Sequence, residues 1–359
     1  MFYLIFYHFK DFFHIFNLFK YTTFRSGGAF ITAFLLVFIF EKSFIKKLIK
    51  LKAAEHVDMY GHVRLESIYR SKEGTPTMGG ILILLGVIIS IFLWCRINRF
   101  VWLVTATAFL FGILGTVDDY LKIRRQKGLR RWPKLVIQMI LGVIVGSIIL
   151  YFRLSSPEVH FPFFKNLVVN LGWFYIFWVM LILVSSSNAV NFTDGLDGLA
   201  IGSIVMVALV FGVFSYISAN IKFSQYLFLP YVKGAEELTV ISASLMGAGL
   251  GFLWFNAQPA ELFMGDVGSL SLGAIIGLEA ILVKEEFILL IAGGIFVIEA
   301  LSVLLQIVAL RVFRRRIFKA APLHHHFQML GWDNTKITIR FWIVSSLFVT
   351  LALLTLKLR

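Results

Sequence analysis

The chain has 359 residues, 59% of them hydrophobic and only 15% charged, with a mean hydropathy of +0.85. Soluble globular domains carry about 25% charged residues, so this composition excludes one and indicates a chain solvated by lipid. The formal net charge of +14 suits anionic lipid heads or an anionic substrate. The single cysteine, Cys95, excludes an intrachain disulfide and a cysteine-based metal centre.

Within residues 1–26, Phe2, Phe6, Phe9, Phe13 and Phe16 recur at helical spacing opposite Lys10, His14 and Asn17. That pattern predicts an amphipathic helix lying in the membrane interface. The segment lacks the basic start and small-residue cleavage site of a secretory signal. Residues 27–359 then read as one membrane domain of ten apolar spans, at 27–48, 78–95, 100–118, 133–151, 170–188, 198–217, 238–255, 267–283, 286–310 and 338–356. The runs do not alternate, which excludes a β-barrel. The expected fold is an all-α, polytopic integral membrane protein with both termini on one side. The loops after the odd-numbered spans hold most of the 34 Lys and Arg, including the runs at 122–134 and 311–319. The positive-inside rule makes those loops cytoplasmic and places both termini opposite.

The polar patches fall in the same loops. Asp118, Asp119 and Lys122 end the third span and share one helical face. Paired carboxylates at that spacing suit Mg²⁺, which takes one or two carboxylates together with substrate phosphates; the plainer reading is a solvated helix end with an i,i+4 ion pair. Asn191, Asp194 and Asp197 recur at intervals of three, interleaved with Gly195 and Gly198, between the fifth and sixth spans. Such glycines let backbone N–H groups approach a phosphate or sugar, although Asp194 or Asp197 would also serve as a cap for the sixth span. His324, His325 and His326 follow Pro322. Three adjacent histidines cannot all face one zinc ion, but they suit a phosphate or an exposed basic loop. Asp266 lies between Gly265 and Gly268 at the mouth of the eighth span. Nearby, Asn256 and Phe263 offer an amide and an aromatic face of the kind that holds a nucleobase, against simple interface packing for Phe263. The run from Lys72 to Gly80 is a glycine-bracketed lead into the second span, suited to close helix packing. Carboxylates, histidines and lysines at one membrane face suit a metal ion and a diphosphate. They suit an ion path less well, since that reading needs ionisable groups near mid-span; only Glu279 and Glu299 answer to it.

In order along the chain, Asp118–Lys122 (DDYLK), Asn191–Gly198 (NFTDGLDG), Phe263–Ser269 (FMGDVGS) and Pro322–Trp332 (PLHHHFQMLGW) resemble the polyprenyl-phosphate N-acetylhexosamine-1-phosphate transferase superfamily. The GTPTMGG run ending at Gly80 and the long histidine motif resemble its bacterial branch acting on phospho-N-acetylmuramoyl-pentapeptide. The resemblance implies transfer from UDP-MurNAc-pentapeptide to undecaprenyl phosphate, giving lipid I and UMP, in a Mg²⁺-dependent homodimer. It implies a bacterial inner membrane, with the site on its cytoplasmic face. Membrane lipids are expected partners and nucleic acid is not. It implies Mg²⁺ on Asp266, with Asp118 or Asp119 nearby, and Asp118 engaging the lipid phosphate. Asn191, Asp194 and Asp197 would shape the donor pocket, and Asn256 and Phe263 would hold uracil beside Lys72 and Gly195. Lys122, Lys134, His324, His325 and His326 would meet phosphate charge, with His325 counted among the catalytic groups. Transfer of GlcNAc-1-phosphate is the alternative reaction, and ion-coupled transport a remote one.

Overall fold

The computed structural model describes residues 1–11, 13–51, 53, 74–164 and 167–358. Among them the membrane helices are α1 (Thr22–Lys50), α2 (Gly80–Trp94), α3 (Arg99–Arg125), α4 (Arg131–Tyr151), α5 (Tyr175–Thr193), α6 (Leu199–Ser218), α7 (Glu236–Asn256), α8 (Gly265–Leu282), α9 (Glu286–Ala292) with α10 (Gly294–Val308), and α12 (Asn334–Leu354). A short helix, α11 (Leu323–Met329), carries the histidines. Nine described helices are long and apolar enough to cross a bilayer, and Gly80–Trp94 is a shorter apolar one. The protein is therefore an all-α, multi-pass membrane protein. Large apolar side chains such as Ile39, Trp102, Phe109, Ile140 and Leu347 stand exposed around its flank, where lipid would meet them.

Helix α8 is the central pillar. Every residue from Asp266 to Leu282 is buried. Its small residues let neighbouring backbones come close. Gly273 and Gly277 face Ser186 of α5, Gly115 of α3 faces the Asp266 backbone, and Gly80 of α2 meets Gly268 so tightly that no Cβ fits. This packing brings the ends of α3 and α5 and the start of α8 to one end of the bundle. On the other flank, Gly247 and Gly251 of α7 admit the backbone of α1 at Phe30 and Phe34.

The structure departs from the sequence reading in four places. Residues 1–21 are not one amphipathic helix. They form a short α-helix, Phe2–Phe6, and two 3-10 helical segments, Tyr7–Phe9 and His14–Lys20, the second entered through an extended Phe13, and α1 already begins at Thr22. The chain folds back because its phenylalanines find one another: Phe6 stacks on Phe16 and Phe19, and Phe19 on Trp94 at the end of α2. Helix α3 continues beyond residue 118 to Arg125, so Asp118, Asp119 and Lys122 are helical throughout. The ninth span breaks at Gly293 into α9 and α10. A two-stranded antiparallel hairpin, β1 (Glu158–His160) with β2 (Val168–Asn170), decorates the loop between α4 and α5.

Candidate active site

Asp118 and Asp119 on α3 and Asp266 in the first turn of α8 each offer an oxygen within 4.8 Å of the others. Two lysines lie among them. Lys122 Nζ is 3.0 Å from Asp118, 3.3 Å from Asp119 and 2.8 Å from Asp266. Lys134 Nζ, from the first turn of α4, is 3.3 Å from Asp118 and also contacts Asp266. The three carboxylates are buried, whereas both lysines are partly exposed. With all three carboxylates ionised, three negative charges would face two positive ones and leave the cluster short of one cation, in surroundings where screening by water is weak.

Backbone donors fix the acids. Leu129 N–H donates to Asp118 Oδ1 (2.6 Å), and Val267 N–H, at the start of α8, donates to Asp119 Oδ2 (3.1 Å). Asn191, in the last turn of α5, donates to Asp266 Oδ1 (3.0 Å) and to Ser269 Oγ (2.9 Å). Gly265 adopts φ +72°, and a Cβ there would press on Asp119 and Thr77; glycine is required on both counts. The strap before α2 closes this end. Phe263 N–H donates to Pro76 O (2.9 Å), while Gly79 and Gly80 N–H donate to Phe263 and Met264 O (each 2.8 Å). The described part of the Lys72–Gly80 run is thus a wall of the site, and Lys72 itself lies outside the described residues.

The donor set fits a divalent cation. Three hard oxygen ligands converge, the cluster lacks one positive charge, and the lysines can withdraw to solvent when another cation takes their place.

The other expected residues take distinct positions. Asp194 is the C-terminal cap residue of α5, and the N-cap residue of α6 is Gly198, in the left-handed region at φ +74°. Asp197 instead accepts from Ala260 N–H (3.3 Å). Asn256, the amide expected near a nucleobase, bonds at both ends: Oδ1 accepts from Gly198 N–H (2.9 Å) and Nδ2 donates to Leu262 O (2.8 Å), which leaves one N–H and one oxygen lone pair over. In this conformation it is a strut between two loops. Phe263 is half-buried beside that strut. The histidines diverge, as their spacing requires. His324 packs its ring on Gly195, His325 Nδ1 pairs with Gln328 Oε1 (2.7 Å), and His326 Nδ1 accepts from Lys319 N–H (3.1 Å). His326 therefore organises its own loop.

The two mid-span acids are also accounted for. Glu279 receives Ser242 Oγ at 3.0 Å on each oxygen, and Glu299 receives two backbone N–H groups at the start of α11. Sequence reasoning gave no role to Ser269, Glu299 or Gln306. The last two were visible as polar residues at helical spacing in an apolar span, the signal of a buried polar face.

Acids and lysines gathered at one end of a membrane bundle suit chemistry on charged groups at the membrane surface. The model of glycosyl transferase family 4 matches residues 101–284, and a phospho-N-acetylmuramoyl-pentapeptide-transferase signature matches residues 72–84. Proteins named phospho-N-acetylmuramoyl-pentapeptide-transferase are similar along nearly the whole chain. The one from Oleidesulfovibrio alaskensis is 48% identical over 351 residues, 96% of both chains. The one from Desulfotalea psychrophila is 46% identical over 363 residues, covering both chains completely. The one from Citrifermentans bemidjiense is 47% identical over 348 residues, again 96% of both. The chain belongs to the phospho-N-acetylmuramoyl-pentapeptide-transferase family.

Proposed function

We propose that the chain transfers phospho-MurNAc-pentapeptide from UDP-MurNAc-pentapeptide to undecaprenyl phosphate, releasing UMP and forming lipid I. The observation that carries this reading is the charge-deficient Asp118–Asp119–Asp266 cluster with Lys122 and Lys134, set beside an apolar groove. That groove, of 190 Å³, is lined by Ala189 and Val190 of α5, Gly273 and Ile276 of α8, and Phe296, Val297, Ala300 and Leu301 of α10. It begins one residue from Asn191, which holds Asp266, so a prenyl chain in the groove would carry its phosphate towards the acids.

Asp266, with Asp118 or Asp119, would hold Mg²⁺, which when bound neutralises diphosphate charge and polarises the phosphorus centre. Lys122 and Lys134 would then turn to phosphate oxygens. Asp118 would align the lipid phosphate, or take its remaining proton, as an oxygen of that phosphate attacks the sugar-linked phosphorus in line and UMP leaves. Asn191 keeps Asp266 oriented. The backbone around Asp194, Gly195 and Asp197 would meet the donor, with Phe263 near its uracil. His324 and His325 would face developing phosphate charge. Bulk dielectric is low in so buried a cluster, which strengthens each of these interactions.

We further place the site on the cytoplasmic face of a bacterial inner membrane, with both termini opposite, because the basic loops flank it. The working unit is taken as a homodimer. Residues 27–359 are taken as one transferase domain.

Purified protein offered undecaprenyl phosphate and either UDP-MurNAc-pentapeptide or UDP-GlcNAc tests the assignment. Lipid-linked product from the muramoyl donor alone is expected; product from UDP-GlcNAc alone would replace this reading with the related GlcNAc-1-phosphate transfer. UMP release without acceptor, with an aspartate carrying phospho-MurNAc-pentapeptide through its phosphate, would favour double displacement over direct attack.

A further inference from the structure

Helix α10 has two faces of opposite character. Phe296, Val297, Ala300 and Leu301 line the apolar groove. Glu299, Ser302 and Gln306, spaced by three and four residues, form a buried polar stripe. Holding a carboxyl group this far along an apolar span is costly, and the hydrogen bonds show what it does. Glu299 Oε2 accepts from Leu323 N–H (2.7 Å) and Oε1 from His324 N–H (3.1 Å), the opening N–H groups of α11. Gln306 holds the other end of the same segment: its Oε1 accepts from Ile317 N–H (3.2 Å) and Phe318 N–H (2.9 Å), and its Nε2 donates to Phe318 O (3.3 Å). Ser302 Oγ donates to Glu299 O (2.7 Å) between them. Residues 317–324 therefore hang from one face of one helix. A seven-residue helix such as α11 cannot hold its own direction.

The group so held is His324. Its side chain is buried, with Nδ1 3.3 Å from Glu299 Oε1. Its ring fills the space a Cβ on Gly195 would need. Neither ring nitrogen makes a hydrogen bond among the described residues, and Nε2 is the one that lies against Gly195. A buried ring nitrogen left without a partner calls for an explanation, and here it lies against the donor-side loop that follows Asn191.

We propose that Glu299 is a positioning residue which, with Gln306, links occupancy of the apolar groove to the placement of His324 over the Gly195 loop. This rests on the lipid-phosphate transferase reading. A prenyl chain against Val297 and Leu301 bears on the helix whose opposite face carries Glu299, so displacement of α10 moves α11 with it. The shared rigid helix is the physical link between acceptor and donor sides. Long acceptors thus set the histidine helix; short ones, which leave the groove empty, do not.

The test compares undecaprenyl phosphate with geranyl phosphate as acceptors, reading kcat/KM for each in detergent. Wild type should favour the long acceptor. Glu299→Ala should lower the long-to-short ratio by about fivefold or more, and Gln306→Ala by less. Glu299→Gln keeps an acceptor oxygen for the backbone and should recover much of the ratio. A role in stability alone would depress both acceptors equally, and an unchanged ratio overturns the proposal. Should Glu299→Ala fail to purify as a folded protein, Glu299→Asp, with its carboxyl group withdrawn by one methylene, gives the same readout. Wild type inactive with both acceptors would strike the transferase reading instead.

Discussion

The two ends of the bundle each bury charge, and they do so on opposite principles. At one end Arg25 of α1 meets Glu237 of α7 through two parallel bonds of 2.5 and 2.7 Å, and Glu237 also accepts from Arg96 N–H (2.8 Å). One acid meets one base, in the paired geometry that suits a guanidinium. At the other end three carboxylates share two ammonium groups, and each lysine is spread over more than one acid. The first arrangement is closed, and a further ion would only unpair it. The second would be open to exchange, because an incoming cation would improve its charge balance and free lysines for the proposed phosphate contacts. On the function proposed above, stoichiometry rather than burial separates the structural ion pair from the working site.

The largest expected effect falls on the open end. Asp266→Asn removes the acid that touches both lysines and Asn191, and turnover should fall by roughly a thousandfold while the protein still purifies as a monodisperse species. Near-normal turnover would place the chemistry elsewhere. The closed end should respond in the reverse sense. Glu237→Gln leaves Arg25 buried and unpaired, at a cost of about 3–5 kcal/mol. A lowered denaturation midpoint with kcat retained in the surviving protein is expected, and unchanged stability would contradict the contrast. Asn256→Ala unlinks Gly198 from Leu262 and should cost about 1–3 kcal/mol, seen in thermal unfolding; an unmoved midpoint would remove it as a strut.

The smallest effect concerns a second buried charge, Lys284, in the turn after α8. It donates to Glu158 O (3.0 Å) and Tyr175 Oη (2.9 Å) and also bonds Ser156 O, tying the hairpin to the bundle. Burial lowers its ammonium from the ordinary 10.5 to about 8, against the opposing pull of Glu286 and Glu158. Below about 8 the folded and unfolded chains both hold this proton. Between there and 10.5 only the unfolded chain does, so this group adds stability as pH rises across that window. The thermal midpoint of wild type relative to Lys284→Met should climb from about pH 8 to about pH 10, and a flat difference would contradict the assignment.

Much of the membrane end was legible in the sequence because it rests on local spacing. The i,i+3 and i,i+4 relations of Asp118, Asp119 and Lys122 became real contacts, and Gly79 and Gly80 became a close approach. Loop parity was enough to bring α3, α5 and α8 to one end. Contacts between distant segments were less accessible. Asn256 presents an amide to any reader of the sequence, and only its distance to Gly198 and Leu262 reveals a strut. The N-terminal phenylalanines carry helical spacing, yet their affinity for one another and for Trp94 outweighed it. Glu299 stood out as an unexplained acid, and its partners Leu323 and His324 lie 24 and 25 residues onward. No local pattern encodes that distance.

The most direct test of the account is UMP release by purified wild-type protein, with UDP-MurNAc-pentapeptide and undecaprenyl phosphate, across a Mg²⁺ titration. Release that saturates with Mg²⁺, needs the lipid acceptor and vanishes on chelation is predicted. Full turnover in excess chelator would contradict the view that the charge-deficient acids hold the metal for phosphoryl transfer.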